Sequence, residues 1–205
     1  MNSKNFTGWL LIIGPIIFLG FGLLSPAASA DWQSNVDIIT KLASSPTTAA
    51  ISAIFNVIGA IIILGGMSGL KETISESSGY KFASLAVIFI AIGVALNAVS
   101  QALLAATADA ASKGEMPVAG SMLAGYLGIG PISGITLFIG VALMGFGLYT
   151  AKSISKIVSI LLIIIGIIGI IIPFWDSRSS LLFIPFIGLV VLSIIIGGLT
   201  IKTKE

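Results

Sequence analysis

The sequence predicts an all-α protein, a polytopic transmembrane bundle of about six helices with short loops, forming a single domain over residues 1–205. Three observations predict it. Six apolar runs follow one another with short polar breaks, each near the ~20 residues that cross a ~30 Å hydrocarbon core. Charged residues make up only 9% of the chain against 57% hydrophobic, with mean hydropathy +1.15. A water-soluble domain carries about 25% charged residues, so these charges cannot cover a hydrated surface. Finally, every Trp and Tyr (Trp9, Trp32, Trp175, Tyr80, Tyr126 and Tyr149) falls at or near the end of a run, the level at which amphipathic rings meet headgroups.

The first run covers Gly8–Leu24 and is followed by Ser25-Pro26-Ala27-Ala28-Ser29-Ala30. That small-residue stretch resembles a signal-peptide cleavage site, but the run is longer than a usual signal core, so it is expected to stay as the first transmembrane helix. Trp32, Val36, Ile39 and Ala43 then recur at helical spacing, with Asp31, Asp37 and Lys41 off the stripe. This predicts a short amphipathic helix over about 31–43 lying on the outer membrane surface. Ser45 is expected to cap the second span, with Pro46 in its first turn.

The second and third spans are expected over Thr48–Leu70 and Phe82–Ala106. Pro117–Gly130, with Gly120, Gly125, Gly128 and Gly130, is too short to cross alone and reads as an interfacial or re-entrant piece before the fourth span, Pro131–Tyr149. The isoleucine-rich fifth run, Ile157–Trp175, has strand-like composition, yet an open strand cannot satisfy its backbone in lipid, so a helix is expected. The sixth run is Leu181–Ile201. Pro15, Pro173 and Pro185 are expected to kink or end their helices. Ile13-Gly14-Pro15-Ile16 recurs as Ile129-Gly130-Pro131-Ile132, a match too short in so biased a composition to establish an inverted repeat.

Orientation follows from Lys and Arg. With the N-terminus inside, Lys4, Lys71, Lys81, Lys152, Lys156, Lys202 and Lys204 lie inside, whereas only Lys41, Lys113 and Arg178 lie outside. Positive charge gathers on the cytoplasmic side, so both termini are expected in the cytoplasm of a multi-pass plasma-membrane protein. Nine Lys to one Arg, with abundant Ile, also suggest a prokaryote with an AT-rich genome.

Chemistry is mostly excluded. Cys and His are absent, which removes thiolate and imidazole catalysis and the commonest metal ligands. No ionisable residue falls in the core of a span, where coupled transporters and pumps usually keep one. No catalytic residue, cofactor or metal is expected, and scattered lysines make no nucleic-acid patch. The expected partners are the lipid bilayer and other membrane subunits or further copies of the chain.

Four intramembrane polar residues form the candidate site. Asn56 lies about thirteen residues from the inner end of its span and Asn97 about fifteen from that of the next, roughly 20 and 22 Å at 1.5 Å per residue. Adjacent antiparallel helices therefore bring them to a similar depth in the outer leaflet, with Ser100 and Gln101 one turn above. They read first as interhelical hydrogen bonds, worth ~0.6 kcal/mol on average. The alternative is an outer-leaflet pocket for a small neutral solute or lipid headgroup. Gly65–Gly69 and Gly130–Gly134 are small-xxx-small pairs expected to let helices approach closely.

The acidic-start outer loop Asp31–Lys41, the Ser45-Pro46 helix start and the passage from Gly66–Leu70 into Lys71 resemble the small six-helix membrane proteins of unknown function found in bacteria and archaea. That resemblance covers nearly the whole chain and implies no site. The function favoured by the sequence is a non-catalytic accessory or structural subunit of a larger membrane complex. A channel or facilitator for a small neutral or gaseous solute is the alternative. A membrane enzyme or coupled transporter, its cofactor not visible in the sequence, is the third.

Overall fold

The computed structural model describes residues 3–202, which form seven α-helices and two short 3-10 turns and contain no strand. Lys204, one of the charges expected on the inner side, lies outside the described residues. Helix α1 spans Ser3–Leu24 and a 3-10 turn covers Pro26–Ser29. Then come α2 (Asn35–Ser44), α3 (Pro46–Glu72), α4 (Tyr80–Ser112), α5 (Met116–Ala151) and α6 (Lys156–Trp175). A second 3-10 turn, Ser180–Leu182, leads into α7 (Phe183–Lys202). All helices but α2 are long and apolar enough to cross a membrane, six spans in all.

The six spans close into a ring. α1 lies against α3 and α7, and α3 meets α4, α4 meets α5, and α5 meets α6. A sparser seam joins α6 to α7. Every neighbour is antiparallel, so both ends of the described chain lie at one end of the bundle (the terminal end), opposite a cap end. In lipid, helices associate through close backbone approach rather than apolar burial. A Cβ on Gly59 would stand 2.9 Å from the Gly14 carbonyl oxygen, and one on Gly14 2.8 Å from the Ile63 nitrogen, which locks α1 to α3. At the α1–α7 seam, a Cβ on Gly197 would stand 2.6 Å from the Gly8 carbonyl. The terminal half of the ring is filled by fully buried Leu11, Met67, Ile90, Met144, Leu148 and Leu162. At that end Lys71 sits over the Tyr80 ring and Lys156 over the Tyr149 ring, each 5.5 Å from the centroid.

The cap end differs from expectation. Pro117–Gly130 is not a separate interfacial or re-entrant piece: it is the first part of α5, continuous with the fourth span. At 33 and 36 residues, α4 and α5 reach about 50 and 54 Å, well beyond a ~30 Å core. Pro117 needs no partner for its missing N–H in a first turn, and a helix satisfies its own backbone in lipid or water alike. The two helices therefore run on together as a hairpin, with Ala119 and Leu123 buried. Its tip carries an exposed ion pair, in which Asp109 accepts the Lys113 ammonium at 2.7 Å and holds the lysine above its ordinary value.

Helix α2 rests on this hairpin, so its buried face meets protein. The apolar stripe read from sequence is accordingly displaced. Ile38 and Leu42 are fully buried, Ile39 and Ala43 flank them, and Val36 is 75% exposed. Ser34 caps α2 by accepting the Asp37 N–H at 3.2 Å. Ser45 occupies the cap position of α3, but its side chain makes no capping bond, while Pro46 stands in the first turn as expected. α1 continues through Pro15, α6 ends two residues after Pro173, and Pro185 lies in the first turn of α7.

Candidate functional site

Between the filled terminal half and the α2 cap, the ring encloses a cavity of about 570 Å³ that reaches all six spans. Its floor is aromatic: Phe186 lies 5.0 Å from Phe138 in an edge-on arrangement and 5.9 Å from Phe18. The Phe138 ring covers Gly169, where a Cβ would meet ring carbon Cδ1 at 2.6 Å. Below these rings the buried core continues to the terminal end, so the cavity is blind.

The four polar residues read from sequence gather on one wall of this cavity. Asn97 donates from Nδ2 to the Asn56 Oδ1 at 3.1 Å, and Asn56 donates from Nδ2 to the Phe18 carbonyl at 2.9 Å. α4, α3 and α1 are thereby tied in sequence, as the interhelical reading expected. The same wall also keeps spare hydrogen-bonding capacity. The side chains of Ser52, Ser100 and Gln101 make no hydrogen bond among the described residues, although Ser52 and Ser100 are buried. One turn lower, Ser133 donates to the Gly93 carbonyl at 2.9 Å across α5 and α4.

Glycine roles divide differently from the sequence reading. Gly69 does approach a neighbour, since a Cβ there would collide with Thr7 of α1, whereas one on Gly65 would make only ordinary contact with Leu10 Cδ1, at 3.4 Å. Gly130 and Gly134 seat no neighbouring backbone. A Cβ on Gly130 would meet only Ser100 Oγ at 3.7 Å, one on Gly134 would meet nothing within 4 Å, and both residues line the cavity. They leave room where a side chain would fill it. Pro131 and Pro173 give no N–H to the carbonyls four residues before them, Leu127 and Gly169, which also line the cavity.

Sequence reasoning missed the mouth. Arg178, from the α6–α7 connection, donates from Nη1 to Asn35 Oδ1 at 3.0 Å and to the Trp32 carbonyl at 3.4 Å. This joins residues more than 140 positions apart and pins two loops together over the opening. Trp32 packs 5.9 Å from Tyr126, closing the α2 side. The only signal in the sequence was that Arg178 is the sole arginine, in a loop otherwise poor in charge. No group of three or more acids able to hold a metal ion occurs among the described residues.

Comparison with protein-family models, with curated proteins and with solved structures finds no match to this chain. What it does must be read from the cavity.

Proposed function

We propose that this chain binds a single-chain amphiphile, taken from the outer half of the plasma membrane, and holds it without chemical change. The observation that carries the reading is the vertical order of the cavity wall: charged groups at the mouth, a neutral hydrogen-bonding belt at Ser52, Asn56, Asn97 and Gln101, and an aromatic floor. That order matches a polar head, a hydrogen-bonding linkage such as an ester or amide, and an alkyl chain. At ~30 Å³ for each water-sized group, 570 Å³ admits roughly twenty heavy atoms, within the usual range of ligand pockets. This suits one chain better than two.

The outward orientation is supported by the lysines, which gather at the terminal end, as positive charge does on the cytoplasmic side of multi-pass proteins. Against an open channel stands the closed floor, which blocks passage in this conformation. Membership of a larger complex, favoured by the sequence, is compatible with the same cavity.

Trp32 on the cavity wall supplies the test. In a chain carrying Trp9→Phe and Trp175→Phe, a single-chain phosphocholine brominated at the chain carbons next to its headgroup should quench Trp32 saturably at one equivalent. Gly134→Leu, which fills open space, should abolish that saturable phase. Quenching that rises only linearly with probe, and equally in Gly134→Leu, would defeat the proposal.

A further inference from the structure

The rim of the cavity carries two opposite charges that do not meet. Arg178 and Asp31 both line it, yet no ion pair joins them within 4.0 Å. Arg178 spends only Nη1 on protein acceptors, both of them neutral, so Nε and Nη2 are free among the described residues. Asp31 accepts only the Gln33 N–H, at 2.9 Å on Oδ1, which leaves Oδ2 unpartnered among them. A guanidinium held by neutral groups keeps its full attraction for an anion, and its planar fork suits phosphate or carboxylate.

The surroundings rule against a purely anionic guest. Two further carboxylates stand beside the same loops: Asp37 accepts the Asp31 N–H at 2.7 Å and Asp176 the Arg178 N–H at 2.9 Å. Neither Lys41 nor Lys113 lines the cavity. Asp37 and Asp176 do not line it either, so an anion on Arg178 leaves the lining carboxylate Asp31 unbalanced, with two more carboxylates behind it. A cation alone finds Asp31 but is opposed by Arg178. A head carrying both charges satisfies both residues.

Resting on the amphiphile-binding reading above, we infer that the ligand is zwitterionic, its anionic group on Arg178 and its cationic group on Asp31. The belt one to two turns below then takes the linkage, and the aromatic floor takes the chain.

The experiment uses the full chain in phosphatidylglycerol nanodiscs, which contain no zwitterionic lipid. It is equilibrated with equimolar dodecylphosphocholine, dodecyl phosphate and dodecyltrimethylammonium, and adducts are counted by native mass spectrometry. The phosphocholine should bind about tenfold tighter than either single-charge probe, the order expected of one charge-assisted contact. Arg178→Gln should remove its advantage over the trimethylammonium probe, and Asp31→Asn its advantage over the phosphate probe. Since the ranking is read first in the unaltered chain, a variant that fails to fold does not spare the inference. Equal or tighter binding of either single-charge probe overturns the zwitterion, as does a ranking unmoved by both substitutions. If no probe gives a saturable adduct, amphiphile binding itself falls.

Discussion

Replacing Gly59 by Ala should loosen the α1–α3 pair and, with it, the polar wall of the cavity. The added Cβ would stand 2.7 Å from the Phe18 Cα and 2.9 Å from the Gly14 carbonyl oxygen, about 0.7 and 0.5 Å inside the 3.4 Å at which ordinary contact begins, with the Phe18 nitrogen closer still. All three are backbone atoms, so no side chain can swing aside and the helices must separate. A separation of about 0.7 Å stretches the 2.9 Å bond from Asn56 to the Phe18 carbonyl to about 3.6 Å, beyond hydrogen-bond range. Overpacking costs ~1–3 kcal/mol, and an interhelical hydrogen bond adds ~0.6 kcal/mol or somewhat more. Relieving a glycine inside a helix returns ~0.5–1 kcal/mol, so the net loss is about 1–3 kcal/mol. Steric trapping in bicelles, or reversible unfolding in mixed detergent, reads this directly. Gly65→Ala is the control on the same helix, because its Cβ finds only the end of the Leu10 side chain at 3.4 Å. It should be neutral or slightly stabilising. Equal stability of the two variants would refute the close-approach reasoning.

Asn56→Leu removes two interhelical hydrogen bonds and should cost about 1 kcal/mol while weakening amphiphile binding, checked by the Trp32 quenching titration. Gly134→Leu should leave unfolding unchanged or slightly raised and still exclude the ligand, since a Cβ there meets nothing within 4 Å. The chain contains no cysteine, so single-cysteine labelling of whole cells reads topology cleanly. Ser112→Cys at the cap end should react with a membrane-impermeant maleimide, and Ser153→Cys only after permeabilisation. The reverse pattern would invert the orientation and move the cavity to the inner leaflet.

The six spans were legible because length and apolarity alone decide them in lipid, and the Trp and Tyr positions bracketed them independently. The meeting of Asn56 and Asn97 was legible too, since antiparallel neighbours of known rise fix depth. What sequence could not supply was anything that depends on which face meets what. Pro117–Gly130 looked like an interruption because its glycines and length were judged alone, whereas a partner helix of matching length lets it continue. The buried face of α2 was displaced because protein, not lipid, lies beneath it. Spacing flagged Gly130 and Gly134 as small-residue positions but not whether a small residue admits a backbone or leaves a void. The bonds from Arg178 to Trp32 and Asn35 join the two ends of the chain through ring closure, which no local pattern announces.

An amphiphile held in the cavity in the native membrane should travel with the protein into polymer nanodiscs, where the native mass reveals it. The 21.0 kDa chain should carry a single adduct of about 300 Da, from roughly twenty heavy atoms, that is lost in Gly134→Leu. A bare chain, or an adduct that persists when the cavity is filled, would contradict it.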